Sequence, residues 1–282
     1  MKAGFPSMTA RSAAAHRAVH QLVDFPHVFD DPLAVEIVGL ADLAFMIEFA
    51  AAFLPGFREM RAFVAARSRY AEDELARAIA AGTAQYVILG AGLDTFAYRH
   101  CYSKKELKIF EVDHPDTQTW KRRRLADAAV LVPSEVRFVP FDFERQGLDI
   151  ELKNAGLRLG EPAFFSLLGV TPYLANPVLM AIFALIHSLC PKNTVVFDYL
   201  KPRQTLSAWE RMGFDVLSEE VERGGEPFRG FFLPEALMRG LTRIGFQRIE
   251  SPTKDQLNAF YFRNRLDALL LQSDLHGLMR AN

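Results

Sequence analysis

A glycine-rich turn follows the apolar run in VILGAGLDT, residues 87–95. Glycine tolerates the torsions of a sharp turn, and a ligand can approach the main chain at Gly90 and Gly92 because no Cβ intervenes. A tight strand-to-helix turn without a ligand has the same pattern. Thr95 stands where a dinucleotide-binding fingerprint has its third glycine. The pattern therefore favours a ligand other than a pyrophosphate.

Acidic side chains end the next two predicted strands. Glu111 and Asp113 are two residues apart and so share one strand face, and Asp142 is followed by Phe143. A carboxylate accepts hydrogen bonds from both ribose hydroxyls, and an Asp–Phe pair suits an adenine amino group and its ring face. Solvated acids at strand ends are the alternative. Together with the glycine turn, these residues predict a nucleoside pocket that fits S-adenosylmethionine better than NAD.

The elements that must position these residues follow from the hydrophobic pattern after residue 85. Short apolar runs predict seven strands, at 85–91, 107–113, 136–142, 162–170, 193–200, 245–251 and 257–265. Amphipathic stretches between them predict helices at 116–129, 144–157, 175–190 and 234–244. The alternation indicates an α/β fold with a mostly parallel sheet. Only PTKDQ separates the last two predicted strands, so we expect an antiparallel hairpin, as in the Rossmann-like sheet of class I methyltransferases.

Two segments outside this pattern are predicted to cover the sheet. Residues 1–82 are expected to form a helical lid over a core at 83–282, the two making effectively one domain. Glycines and charges at 203–232 indicate an inserted flap rather than a strand. The apolar side chains expected to line the lid are Phe45, Met46, Phe49, Phe53 and Phe57.

Composition excludes several classes of function. The net charge of −1 argues against a nucleic-acid partner, because no basic excess exists to neutralise phosphates. Two cysteines without C-x-x-C spacing predict neither a disulfide framework nor a metal site. The most apolar stretch is interrupted by Asp42, Glu48 and Pro55, so no membrane span is expected, nor is a signal peptide. We predict a cytoplasmic protein; the pattern favours neither a monomer nor an oligomer.

Several motifs together resemble the leucine carboxyl methyltransferase family. They are Arg67 and Arg69 in an R-x-R, VILGAGLDTFAYR, FEVDHP, Lys121 and LLGVTPYL. The family includes protein phosphatase methyltransferases of eukaryotes and many bacterial enzymes of polyketide and other secondary metabolism. The similarity extends from about residue 24 to about residue 237. The glycine turn and E-x-D-x-P at this spacing are more specific together than either is alone.

The resemblance implies S-adenosyl-L-methionine as cofactor and assigns residues to it. Arg67 corresponds to the arginine that binds the methionine carboxylate, which a guanidinium can do in a bidentate manner; a surface arginine is the alternative. Asp113 corresponds to the ribose acid, with Glu111 in support. The remaining implied cofactor positions are Gly90, Gly92, Asp142, Phe143 and Leu168.

Two further residues of these motifs are candidates for catalysis. Tyr173 could orient a substrate oxygen, although an aromatic packed at the start of a helix is an equal alternative. Arg99 recurs in the family motif beside Asp94, and both are also compatible with holding the turn.

Position 168 departs from the family pattern. The fourth strand of the family typically ends in glutamate-glycine, whereas this chain has Leu168 before Gly169. The loss of a carboxylate changes how the cofactor is held or which substrate is accepted. It also leaves open a degenerate member that binds S-adenosylmethionine or S-adenosylhomocysteine without methyl transfer.

The reaction expected from these residues is O-methylation of a small metabolite. A carboxylate acceptor is ionised at neutral pH and needs no base, whereas a phenol needs one within hydrogen-bond reach. The segment SLLGVTPYL offers no His, Lys or acid, and His114 and His187 are weak candidates. We therefore predict a carboxylate acceptor, with a hydroxyl as second choice, on a hydrophobic or carboxylic biosynthetic intermediate of secondary metabolism. Thr95 and the predicted hairpin disfavour an NAD-dependent oxidoreductase.

Overall fold

The strands form one sheet in the computed structural model, which describes residues 7–39, 43–44, 55–103, 107–190 and 192–282. The strands are β1 Gln85–Leu89, β2 Lys108–Asp113, β3 Val136–Pro140, β4 Phe164–Leu167, β5 Thr194–Leu200, β6 Ile249–Glu250 and β7 His276–Ala281. Their order is β3-β2-β1-β4-β5-β7-β6. The first five strands pair in parallel, and β7 is antiparallel to both β5 and β6. This confirms the predicted fold, a mostly parallel seven-stranded sheet whose last strand is antiparallel.

Helices cover both faces of the sheet. In the described ranges they are α1 Met8–Val23, α2 Ala34–Val38, α3 Pro55–Ala80, α4 Phe96–Arg99, α5 Pro115–Asp127, α6 Leu148–Asn154, α7 Asn176–Leu189, α8 Ala208–Arg223, α9 Pro234–Ile244 and α10 Lys254–Tyr261. None of them is both long and apolar enough to span a bilayer.

The strand predicted at 257–265 is wrong. Residues Lys254–Tyr261 form α10, and the strand that closes the sheet is His276–Ala281. Thr253 and Gln256 make a reciprocal capping box, which satisfies backbone groups that only a helix start leaves free. The predicted short hairpin is therefore also wrong, because α10 lies between β6 and β7.

The predicted flap at 203–232 contains a regular helix. Ser207 and Glu210 form a second capping box, and α8 runs from there to Arg223. The Glu210 carboxylate also accepts the backbone N–H of Asp274, which ties α8 to the segment before β7. The first turn of α8 thus anchors the flap to the segment before β7.

Two apolar layers position the carboxyl ends of the strands. One face of the sheet packs Phe165 and Phe197 against α7, while the other packs Phe164 and Val196 in a cluster that includes Ala66 of α3. The predicted lid residue Phe57 is buried with α1 and α2 in a third cluster. The other predicted lid residues, Phe45, Met46, Phe49 and Phe53, lie outside the described residues.

Candidate functional site

The glycine turn after β1 is enclosed on two sides. Gly90 has φ +73°, and a Cβ there would overlap Cγ2 of Val170 from the loop after β4. Gly92 has φ +45°, and a Cβ there would lie 3.1 Å from Cβ of Ala10 in α1. L-residues with side chains rarely adopt such torsions, so both positions require glycine. The turn brings β1, the loop after β4 and α1 together.

The carboxylate of Asp113 faces this turn from the end of β2. One oxygen accepts the backbone N–H of Gly92, and the other accepts that of His114 at 2.6 Å. Burial raises the pKa of Asp113, and the two backbone N–H groups act in the opposite direction. Each oxygen keeps a second lone pair, so the carboxylate is fixed in direction and can still accept hydrogen bonds.

Glu111 lies in the interior, two residues before Asp113 on β2. Its Oε2 pairs with Nζ of Lys121 at 2.7 Å and accepts the Tyr98 hydroxyl at 2.9 Å. Its Oε1 is buried without a hydrogen-bond partner in the described part of the chain. Burial raises the pKa of Glu111, and Lys121 opposes that shift. These contacts join β2 to α5 and α4, which fits the supporting role predicted for Glu111.

Asp142 lines a cavity of about 370 Å³ beyond the ends of β2 and β3. Its Oδ1 accepts the backbone N–H of Glu144 at 3.0 Å. His114, which follows Asp113, lines the same cavity. Phe143 packs edge-on to Phe141 with ring centroids 5.8 Å apart. The cavity wall therefore contains Asp142, predicted for the adenine, and His114, the residue that follows the predicted ribose acid.

Arg67 extends from α3 toward the ends of β4 and β5. Its Nη1 is 2.8 Å from Oδ2 of Asp198, and both side chains are buried. The other oxygen of Asp198 accepts the backbone N–H of Gly169 at 2.6 Å. A Cβ on Gly169 would lie 2.9 Å from Nη2 of Arg67, so this glycine lets the guanidinium approach the main chain.

Asp198 was not among the predicted site residues. The signal was present, because it is the one acidic residue in the otherwise apolar strand NTVVFDYL. Leu168 packs against the apolar cluster that also contains Phe164. The carboxylate beside Arg67 thus comes from β5, not from position 168, which directly follows β4.

Tyr173 closes the other side of this region from a short 3-10 helix at Thr171–Tyr173. Its ring lies 5.5 Å from that of Phe228 in the flap. Burial raises the pKa of Tyr173, so the phenol is neutral at physiological pH.

Arg99 is occupied on the far side of the glycine turn. Its guanidinium pairs with Glu72 of α3, donates to Thr95 at 3.0 Å and lies 3.6 Å from Asp31. It also lies over the ring of Phe29, 4.8 Å from the centroid. This cluster joins α3 and the N-terminal segment to the turn. These contacts support a structural role for Arg99. None of them supports the predicted catalytic role.

Helix α1, which lies within the segment predicted as a helical lid, forms a roof over the turn through Ala10. The Glu226 carboxylate accepts hydrogen bonds from the Ser7 hydroxyl at 3.0 Å and the Thr9 hydroxyl at 2.6 Å. It also accepts the backbone N–H groups of Met8 and Thr9, each at 3.2 Å. Arg17 donates to the carbonyl of Leu93. Glu226 therefore latches the first turn of α1 to the segment after α8.

These predicted site residues lie in a row along the carboxyl ends of neighbouring strands, joined by contacts from Asp113 to Gly92, from Gly90 to Val170 and from Gly169 to Arg67. Asp142 follows β3 at one end of this row, the glycine turn lies in the middle, and Arg67 lies at the other end; the row is called the candidate crevice below. A nucleoside with a carboxylate-bearing tail fits this sequence of acids, bare backbone and guanidinium. Within the described ranges, no group of three His, Cys, Asp or Glu side chains lies together as a metal site.

Known proteins resemble this chain over much of its length. The family model described as leucine carboxyl methyltransferase matches residues 10–187. The Bacillus subtilis protein named "Putative S-adenosyl-L-methionine-dependent methyltransferase YktD" is 30% identical over 298 residues, covering 98% of each chain. A Mycobacterium avium protein with the same description is 31% identical over 243 residues, covering 77% of this chain and 76% of its own.

Solved structures share the fold at lower identity. A Thermobifida fusca crystal structure described as that of a "putative methyltransferase" has a TM-score of 0.63 and 15% identity, covering 100% of this chain and 96% of its own. A DUF574 family protein of Streptomyces avermitilis has a TM-score of 0.52 and 16% identity, covering 96% of both chains.

Proposed function

The chain belongs to the leucine carboxyl methyltransferase family, and we propose that it transfers a methyl group to a carboxylate oxygen of a small biosynthetic metabolite. The predicted enzyme class, an S-adenosyl-L-methionine-dependent methyltransferase, is confirmed by its relatives. The acceptor, its carboxylate and its place in secondary metabolism are the proposal.

The crevice has the chemistry to hold the cofactor. Gly90 and Gly92 form a left-handed turn without side chains, Asp113 offers oriented lone pairs, and Arg67 has an ion pair with Asp198 through one of its guanidinium nitrogens. Asp142, on the cavity wall, is the residue we propose for the adenine. When bound, S-adenosyl-L-methionine supplies a methyl group on a positively charged sulfur. The protein's part is then to align the acceptor and exclude water.

The observation that carries the carboxylate proposal is the absence of an effective base around Arg67 among the described residues. Arg67 is paired with Asp198, and the neutral phenol of Tyr173 is hard to deprotonate. His16 of α1 and His276 of β7 are buried nearby, and the pKa of each is lowered to about 3, first by burial, with Arg67 contributing to both. Such an imidazole holds a proton poorly. A carboxylate acceptor needs no base, whereas a hydroxyl acceptor does.

The acceptor end is partly aromatic. Tyr173 packs against Phe228 of the flap, and Phe57 of α3 packs against His16 of α1. Pockets for small apolar ligands have this composition, which supports a hydrophobic acid as substrate. We retain the sequence-based proposals of a lid at 1–82, a core at 83–282 and a cytoplasmic enzyme.

Two measurements test the proposed function. Calorimetry with S-adenosylhomocysteine is expected to show binding that Arg67→Ala and Asp113→Ala each weaken by about tenfold or more. Mass spectrometry over a panel of carboxylic and phenolic metabolites is expected to show methyl esters. A folded protein that does not bind S-adenosylhomocysteine would contradict the proposal. If it binds but turns nothing over, while Leu168→Glu gains activity, the chain is instead a degenerate binding member.

A further inference from the structure

His16 differs from the other buried histidine of α1, which lies one turn later. His20 uses both ring nitrogens, since Nδ1 lies 2.8 Å from Asp24 and Nε2 accepts the backbone N–H of Val28 at 3.0 Å. His16 is only 6% exposed, yet its Nδ1 has no hydrogen-bond partner among the residues the structure describes. Leaving a buried polar atom unpaired is costly, so such an atom in a folded protein calls for an explanation.

The surroundings of His16 point to the acceptor side of the crevice. Its ring lies 4.3 Å from that of Phe57 on α3. Arg61 and Arg67 of the same helix are close enough to lower its pKa, and the desolvation of burial acts first. On α1 itself, Ala10 lies against Gly92. The inward side of α1 thus runs along the site that the proposed function requires.

Resting on that proposed function, we propose that His16 donates a hydrogen bond from Nδ1 to one oxygen of the carboxylate methyl acceptor. The other oxygen then forms the bond to the methyl carbon as the carbon–sulfur bond breaks. The electron pair of that bond stays on sulfur, which becomes a neutral thioether, and no proton moves. His16 remains neutral throughout, acting as a donor that orients the acceptor rather than as a base.

The electrostatics fit an anionic acceptor. The charges that act on His16 most strongly after burial are both positive, from Arg61 and Arg67. A neutral N–H donor beside two guanidinium groups attracts a carboxylate, but it does not remove the proton of an alcohol acceptor. Arg61 is held in place by two hydrogen bonds to Asp24, at 2.7 and 3.0 Å. It therefore adds positive electrostatic potential around His16 without itself binding the acceptor.

The test uses the full chain and two variants, His16→Phe and His16→Asn. Phenylalanine keeps the ring but removes the donor, whereas asparagine places an amide N–H close to the position of Nδ1. The probes are aromatic and medium-chain alkanoic acids, each paired with the primary alcohol of the same carbon skeleton. Methyl products are measured by mass spectrometry, S-adenosylhomocysteine affinity by calorimetry and folding by thermal melting.

We expect wild type to methylate acids and not their matched alcohols. His16→Phe should lower kcat/KM for the best acid by about 30-fold, and His16→Asn should recover it to within about fivefold of wild type. Affinity for S-adenosylhomocysteine should stay within about twofold in both variants. The melting temperature of His16→Phe should equal or exceed that of wild type, because an unpaired buried polar atom is removed.

Four results would overturn the role of His16. They are full acid methylation by His16→Phe, parallel losses of melting temperature and cofactor affinity, ethers as the only products, and no methylated acid from a protein that binds S-adenosylhomocysteine. Should His16→Phe not fold, His16→Leu repeats the test with a smaller apolar side chain. Failure of wild type to bind S-adenosylhomocysteine would instead contradict the proposed function itself.

Discussion

The proposed adenosine end and the proposed acceptor end of the candidate crevice are built by different means. The first consists of strand ends and their turns, with the backbone N–H of Gly92 bonded to Asp113. The second consists of side chains from separate elements, with Arg67 of α3 paired to Asp198 of β5. Local geometry thus fixes the first end, and tertiary packing assembles the second. Changes at the two ends should therefore fail in different ways.

The largest effect is expected at the acceptor end, from Asp198→Ala. It leaves the buried Arg67 guanidinium unpaired, which should lower the free energy of unfolding by about 3–5 kcal/mol in chemical denaturation. Adding Arg67→Met should recover much of that loss, because no buried charge then remains. Asp215→Ala is the matched control, since its partner Arg203 and Asp215 are both half exposed. Equal losses in the two single variants would remove the distinction between buried and exposed pairs.

At the adenosine end, Gly90→Ala should weaken ligand binding more than it destabilises the fold. The new Cβ meets Val170 at a left-handed torsion, which displaces the turn and should weaken S-adenosylhomocysteine binding about 100-fold in calorimetry. Gly156→Ala is the control, because it has φ +97° but no atom within 4 Å of the added Cβ. If both variants bind alike, the close approach to Val170 has no functional importance.

Acid should act first on the acceptor end. The pKa values of His16 and His276 are both lowered to about 3, mainly by burial, with Arg67 contributing to each. Because these folded values lie below the unfolded value of 6.5, stability is complete above pH 6.5 and is lost as the pH falls toward 3. Between pH 6.5 and 5 each histidine should cost about 2 kcal/mol. Denaturation at pH 7.5 and 5 measures this loss, and His276→Phe should reduce it; an unchanged slope would contradict the assignment.

The smallest expected effect concerns the roof that spans both ends. Glu226→Gln keeps the shape of the latch but removes its charge, so the first turn of α1 should loosen by about 1 kcal/mol. Hydrogen exchange at Thr9 and Ala10 should accelerate, while exchange in β1 should not. Glu222→Gln, on α8, serves as the control. Unchanged exchange in α1 would show that other contacts hold the roof.

The two ends also differ in how far the sequence predicts them. The glycine turn and Asp113 were predictable because they lie at the ends of apolar runs and interact through residues near in the chain. Asp198 left a visible signal, a lone acid in an apolar strand, which was not connected to Arg67 because 131 positions separate them. His16 left no signal, since a helical histidine has the same pattern whether or not its ring finds a partner.

The predictions of helices and strands also depended on whether a local signal was present and used. Helix α9 was predicted with its observed bounds, because Pro234 marks its start and Gly245 its end. The prediction of a strand around Leu257 was wrong because the aromatic residues of this segment suit a strand and a helix equally. The capping box of Thr253 and Gln256 was the feature that distinguishes the two.

The contact between Ala10 and Gly92 has a consequence for turnover. Cβ of Ala10 covers that side of the turn, so we expect a nucleoside held there to leave faster when α1 lifts. The opening rate of α1 would then set the residence time of the spent thioether. Under saturating acceptor, weakening the Glu226 latch would speed each catalytic cycle even as it loosens the fold.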